Sequence, residues 1–389
     1  MTRDIKFIVL RTIFSVIQKF VSFNGYICVD NLYEKHASCI DTYTIFQYLQ
    51  SKHKRSKYII WKDNLSFSKI IKNKKNLIVL NRPSYPEQSS YYFLRKTFFS
   101  LLTCKYFISS FYGSLPTEYR NFIKNNKKIK LIGVGHGPVL LKTLVFKYPF
   151  CQEQEWDLYL VSSENERKLF IEHGWPENKL LKCSLPRFDC CKNIKHKNKK
   201  IFIMFTWRLS FEKNPQYILQ SKYLYNIFSL LTNEAFMEYL EKNNVEIVLG
   251  LHHALLDICG INIKFPCKIA DTNNLINEIN SSDLFITDYS SIFWDSAYLK
   301  HPLIFYRLDN RDKYLCETDK LDIANAEEQN KKLYNICYTE EEVIEKIKHY
   351  VANSFKLENK YIKLMSEYFY TTKSNTKTFL DILEKYNEN

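Results

Sequence analysis

Short apolar runs alternate with longer amphipathic stretches along the whole chain, and the clearest instance is Leu284 to Tyr306. There Leu284-Phe285-Ile286-Thr287 predicts a buried strand, Asp288-Tyr289-Ser290-Ser291 a polar turn, the next residues a helix, and Pro302-Leu303-Ile304-Phe305-Tyr306 a second buried strand. Similar runs predict strands at residues 26–29, 58–61, 77–80, 106–109, 130–134, 158–162, 201–205 and 245–249. Helical spacing covers residues 39–51, 90–102, 164–173 and 232–242, with two or three more helices after residue 340. Strands alternating with helices imply parallel sheets covered on both faces, an α/β architecture.

At 389 residues the chain exceeds one typical core, so two domains are expected. The charged break from Glu153 to Asp157 suggests a boundary, giving an acceptor-side domain over 1–155 and a donor-binding domain with C-terminal helices over 156–389. The basic stretch from Lys192 to Lys200 fits a solvated loop, and fits an anionic surface equally well. Lys+Arg 56 against Asp+Glu 42 gives a net charge of +14, which suits nucleic acid, anionic lipid or a phosphorylated substrate without choosing among them. The 11 cysteines show no CxxC spacing, so they read as free thiols in a reducing cytoplasm. No apolar run reaches the roughly 20 residues needed to span a bilayer. Residues 5–24 are apolar but broken by Arg11, Gln18 and Lys19, which fits a buried first helix or one lying on a membrane surface.

In open α/β sheets ligands sit beyond the carboxyl ends of strands, which is where the turn after Thr287 falls. Asp288 or Ser290 can cap the following helix, while free N–H groups and the hydroxyls of Ser290 and Ser291 favour an anion such as phosphate. Asp and Ser before a helix are also ordinary caps. Asp295, four residues after Ser291, shares its helix face and suits a ligand hydroxyl or a nearby cation better than a phosphate. Two more strands end in polar groups, at Arg208 and at His252-His253, so three strand ends converge on one edge. Arg and His donors beside two hydroxyls suit a diphosphate. With no DxD pair, and with His252 and His253 pointing apart on a strand, metal-independent binding is expected. The glycines around His136 read GxGxG rather than GxGxxG, which excludes the dinucleotide fingerprint. His136 still stands at a strand's carboxyl end, where an imidazole can work near neutral pH.

His136-Gly137, Ser184-Leu185-Pro186-Arg187-Phe188-Asp189, Thr206-Trp207-Arg208, Leu251-His252 and Thr287-Asp288-Tyr289-Ser290-Ser291-Ile292-Phe293-Trp294-Asp295 occur in an order that resembles the CDP-glycerol glycerophosphotransferases. These are teichoic-acid primases and polymerases with capsule-synthesis relatives, and the resemblance covers roughly residues 136–306. It implies a GT-B-like fold, two Rossmann-type domains with parallel sheets facing a central cleft. By the same resemblance His136 is the general base on the acceptor, and His252 contacts the donor phosphates as the second catalytic histidine. Arg208, Ser290 and Ser291 hold the diphosphate, and Asp295 lies near the donor's polyol. Arg187, His253 and Asp288 are carried over as further substrate-binding residues, with His253 the alternative to His252 because the family's His-Pro is His-His here. Gly135 replaces the family's aromatic or small polar residue before the first histidine.

The implied reaction moves glycerol phosphate, or a related polyol phosphate, from a CDP-activated donor to a hydroxyl of a glycan or lipid-linked acceptor, releasing CMP without a cofactor. The absence of large tandem modules favours a single-transfer or compact capsule enzyme. The expected location is cytoplasmic, with possible peripheral contact at the inner face of the plasma membrane, and no nucleic-acid partner is expected. Two other readings stand beside this one: a GT-B glycosyltransferase using a nucleotide sugar in capsule or lipopolysaccharide synthesis, and a basic polyanion-binding protein without turnover.

Overall fold

The computed structural model describes residues 3–29, 40–62, 74–81, 90–110, 115–135, 137–140, 146–147, 151–195, 197–251, 264–271, 275–309, 312–330, 335–370 and 372–386. The chain forms two compact units, one of Met1–His136, Phe146–Asp189 and Tyr370–Asn389, the other of Gly137–Val145 and Cys190–Phe369.

The first unit runs α1 (Arg3–Ile17), β1 (Gly25–Val29), α2 (Ile40–Ser51), β2 (Ser56–Trp61), β3 (Leu77–Leu80), α3 (Ser90–Leu102), β4 (Cys104–Ser109), α4 (Thr117–Lys124), β5 (Lys130–Gly133), β6 (Leu158–Val161), α5 (Glu164–Glu172) and β7 (Leu180–Lys182). Its seven strands are ordered β3-β2-β1-β4-β5-β6-β7, and every pairing is parallel. Every residue of β1 and of β6 is buried, as expected of parallel strands with both faces covered.

The sheet does not stop at residue 155. Strand β6 pairs with β5 through Ile132↔Leu158 and Gly133↔Tyr159, and β7 pairs with β6. The charged break ends in Asp157, whose carboxylate accepts the Leu131 N–H at 2.7 Å while its own N–H donates to the Leu131 carbonyl at 3.0 Å. A local run of charge therefore marks a stitched crossover, and the unit continues to Asp189. Two glycines explain the pattern before His136. A Cβ on Gly133 would lie 2.3 Å from the Tyr159 ring, and Gly135 has φ +66°, a left-handed conformation that costs glycine little.

The second unit runs β8 (Lys199–Met204), α6 (Leu209–Lys213), α7 (Lys222–Thr232), α8 (Glu234–Lys242), β9 (Val245–Gly250), β10 (Lys268–Ile269), α9 (Leu275–Asn280), β11 (Leu284–Thr287), α10 (Phe293–Tyr298), β12 (Leu303–Tyr306), α11 (Glu317–Asn330), β13 (Ile336–Cys337), α12 (Glu340–Ala352) and α13 (Asn359–Ser366). The order β10-β9-β8-β11-β12-β13 is again all parallel. Ile201, Ile203, Ile286 and Ile304 turn into the core shared with the surrounding helices. The helix expected over residues 232–242 is α8, and α7 precedes it. Asn233 separates them and caps α8, its side chain accepting the Phe236 N–H at 3.0 Å.

The chain then returns to the first unit as α14 (Asn375–Lys385). Asp189 caps it, accepting from the N–H groups of Asn375 (2.7 Å) and Thr376 (2.9 Å), and Tyr370 donates its N–H to the Ser162 carbonyl. Counting outward from the middle, each sheet has the doubly wound order 3-2-1-4-5-6, the first with a seventh strand added. In the second unit the order reverses between β8 and β11. That switch point is where an open α/β sheet leaves room for a ligand.

Candidate functional site

Strands β8, β11 and β12 are neighbours, and each ends in charged residues: Arg208 beyond β8, Asp288 beyond β11, Arg307 and Asp309 beyond β12. All four side chains are buried, with Arg208 1% exposed and Asp288 and Asp309 fully enclosed. Each guanidinium nitrogen of Arg208 donates to protein. Its Nε meets Asp309 Oδ2 at 2.6 Å, its Nη1 meets the Thr206 carbonyl at 2.6 Å, and its Nη2 meets Asp288 Oδ2 at 2.7 Å, the Tyr289 hydroxyl at 2.8 Å and Asp309 Oδ1 at 2.9 Å.

Asp288 closes the fork where β8 and β11 part. Its Oδ1 accepts the N–H (2.9 Å) and hydroxyl (2.8 Å) of Thr206 and the N–H of Tyr289 (2.7 Å). Arg307 donates Nη1 to the Asp288 carbonyl, and its guanidinium carbon lies 4.9 Å from the Tyr289 ring centre. Arg208 thus faces two carboxylates in the interior, an arrangement in which losing one partner strands a charge. Burial alone favours neutral Arg208, but Asp309 and Asp288 outweigh it and hold its pKa well above the ordinary value. Burial likewise opposes ionisation of Asp288, yet the Arg208 charge and the Thr206 donors keep its carboxyl below its usual value.

This geometry gives Arg208 and Asp288 a structural part beside the ligand roles expected of them. The polar atoms of both side chains are engaged by protein partners, so both brace the turn. Asp288 does not cap α10, and neither does Ser290. The cap residue is Ile292, without a side-chain bond, and the N–H groups of Phe293, Trp294 and Asp295 go to the carbonyls of Ser290, Ser291 and Ile292. Ser290 and Ser291 are half-buried, and among the described residues neither hydroxyl has a partner. They sit at the switch point, on a turn braced from behind through the N–H and the hydroxyl of Tyr289.

Asp295 lies inside α10, 2% exposed, with the Cys191 thiol 3.9 Å from its Oδ1. Beside it Trp294 donates its indole N–H to the Pro138 carbonyl at 3.1 Å. Arg187 belongs to the first unit. It is buried against Asp41 in the first turn of α2, donating its backbone N–H and its Nη1 to that carboxylate, each at 2.9 Å. His136, His252 and His253 lie outside the described residues.

Sequence reasoning missed Asp309, Arg307 and the hydroxyl of Tyr289. A usable signal existed: Arg307-Leu308-Asp309 directly follows a fully buried strand, as Asp288 does. It also missed Asp319 in α11, whose carboxylate accepts the N–H groups of Leu209 (3.0 Å) and Ser210 (2.9 Å) and so orients the backbone leaving Arg208.

Residues 27–378 match the model of the family described as CDP-Glycerol:Poly(glycerophosphate) glycerophosphotransferase. The chain is 25% identical over 248 residues to the minor teichoic acid biosynthesis protein GgaB of Bacillus subtilis (strain 168), a stretch covering 60% of this chain and 27% of that protein. It is 27% identical over 312 residues to the teichoic acid poly(glycerol phosphate) polymerase of Bacillus spizizenii, covering 70% of this chain and 71% of that one. Among solved structures, the wall teichoic acid polymerase TagF shares the fold with a TM-score of 0.61 and 16% identity, over 97% of this chain and 93% of that chain. The UDP-GlcNAc 2-epimerase of Neisseria meningitidis, bound to UDP-GlcNAc, shares it with a TM-score of 0.54 and 13% identity, over 94% of this chain and 100% of that chain. Matched from residue 27 to residue 378, and carrying two parallel sheets of the kind found in TagF, this chain belongs to the CDP-glycerol:poly(glycerophosphate) glycerophosphotransferase family.

Proposed function

We propose that this chain transfers glycerol phosphate, or a related polyol phosphate, from a CDP-activated donor to a hydroxyl of a teichoic-acid-type or other cell-surface glycan acceptor. The observation that carries the reading is the Ser290-Ser291 turn, two hydroxyls at the switch point of the second sheet that have no partner among the described residues, inside the motif on which the family resemblance rests. A TagF variant soaked with CDPG has the same fold. In this reading the acceptor oxygen attacks the distal phosphorus, the bond from that phosphorus to the CMP oxygen breaks, and the acceptor proton passes to His136. Ser290 and Ser291, with His252 or His253, donate to the diphosphate, and Asp295 accepts from a polyol hydroxyl. Positioning and charge stabilisation carry such a transfer.

The deciding experiment measures CMP release from CDP-glycerol, with CDP-ribitol and UDP-glucose as alternatives and EDTA present in parallel. Turnover of CDP-glycerol that survives EDTA supports the reading. Turnover of UDP-glucose alone moves the chain to the nucleotide-sugar glycosyltransferases, and tight oligonucleotide binding without turnover makes it a polyanion-binding protein.

The reading also sets the protein against the inner face of the plasma membrane. Helix α1 has two apolar faces. One buries Phe14 edge-on against Phe98 and Phe122, with ring centres 5.4 and 5.1 Å away. The other leaves Ile5, Val9, Ile13 and Val16 exposed and continues to Phe20, which is 84% exposed. Lys6, Arg11 and Lys19 lie along the same stretch, a combination suited to an anionic lipid surface. Among the described residues no helix is long and apolar enough to cross a membrane.

A further inference from the structure

We propose that Arg208, Tyr289 and Asp309 form a positioning device for the Ser290-Ser291 turn, with Asp309 a positioning residue that neither the motifs nor the family resemblance singles out. The proposal rests on the reading of those serines as donor contacts. The turn must hold two hydroxyls still at the carboxyl end of β11; the first N–H groups of α10 hold the Ser290 and Ser291 carbonyls, at 3.2 and 3.3 Å, but no side chain caps that helix. The side-chain anchor comes from behind. Asp309 takes two donors from Arg208, at 2.6 and 2.9 Å, and the Tyr289 hydroxyl bonds to both, accepting from Arg208 at 2.8 Å and donating to Asp309 Oδ1 at 3.2 Å.

The residue immediately before Ser290 is therefore held through its hydroxyl, and through its N–H by Asp288. The peptide before it is held by Arg307 at the Asp288 carbonyl. A donor fixed before the ligand arrives loses less conformational freedom on binding, so this network acts on affinity without touching the ligand. Lysine at position 208 could not replace the planar fork that reaches Asp309 and Asp288 together.

The test is a double-mutant cycle read by calorimetric binding of CDP-glycerol to the whole protein, well below each variant's unfolding midpoint. Tyr289→Phe keeps the ring and removes only the hydroxyl, so it folds even if Asp309→Asn does not. It is expected to weaken binding about 3- to 10-fold, the scale of one or two hydrogen bonds. In a background carrying Ser290→Ala and Ser291→Ala, the same change is expected to alter affinity by less than about twofold, because the groups it positions are gone. A general loss of stability would act equally in both backgrounds. Equal effects in the two backgrounds, or wild-type affinity in Tyr289→Phe, overturn the proposal. A wild-type protein that binds neither CDP-glycerol nor CDP overturns the functional reading, and the proposal with it.

Discussion

Arg208 and Asp309 stand 101 residues apart in sequence and meet in a two-pronged ion pair, Nε to Oδ2 at 2.6 Å and Nη2 to Oδ1 at 2.9 Å, with neither side chain more than 2% exposed. The pair joins the ends of β8 and β12 across β11, which lies between them, and so sets the shape of the edge from which the Ser290-Ser291 turn projects.

Removing one partner leaves the others charged and enclosed. Arg208→Ala is expected to lower unfolding free energy by about 3–5 kcal/mol, the cost of an uncompensated buried charge. Urea unfolding followed by circular dichroism measures it, and a loss below about 1 kcal/mol would mean that the network carries little stability.

Asp288 gives the protein an acid limb. Its folded pKa lies below the unfolded value of ~3.9, so its contribution is fully present above that value and is lost as pH falls through the depressed folded pKa. Urea midpoints measured from neutral pH down to about 3 should fall less steeply for Asp288→Asn than for the wild type. Equal slopes would assign the acid limb to other carboxylates.

Ser290 and Ser291 should separate binding from folding. Each is half-buried, its hydroxyl without a partner among the described residues, so Ser→Ala at either site is expected to change stability by no more than about 0.5 kcal/mol. Loss of a hydrogen bond to a charged donor phosphate is worth about 1.5–3 kcal/mol, so affinity for CDP-glycerol should fall roughly 10- to 100-fold. Unchanged affinity in the double variant would remove the turn from the site.

His136 is expected to act on the acceptor alone. His136→Ala should cut turnover by about 10²–10⁴-fold while leaving the donor dissociation constant unchanged. Loss of donor binding with the fold intact would reassign the residue.

The exposed face of α1 offers a separate handle. Val9→Asp with Val16→Asp places charge on exposed positions, so unfolding should be little affected. Sedimentation with phosphatidylglycerol vesicles should fall several-fold, and the wild type should sediment less with phosphatidylcholine. Equal sedimentation of wild type and variant would free this face of a lipid role.

Local pattern was enough for most elements. Ser90–Leu102 and Leu77–Leu80 occur with the boundaries that periodicity predicts, because a buried parallel strand is a short continuous apolar run and a covering helix repeats every 3.6 residues. The polar turn after Leu284–Thr287 was equally legible, since strand, Asp-Tyr-Ser-Ser and helix follow one another directly. Partner choice was not. The charge of Glu153–Asp157 looked like a boundary because sequence cannot tell that Leu158–Val161 pairs with Lys130–Gly133, a match made by shape across the crossover. Arg208 looked like a free cation for a phosphate because the carboxylates that claim it arrive 80 and 101 residues later. The sequence by itself determined the elements, the motif and the chemistry available at the strand ends. Only the tertiary structure decided which of those charges neutralise one another in the interior and which hydroxyls have no partner among the described residues, because burial and pairing depend on neighbours that the backbone brings together from far along the chain.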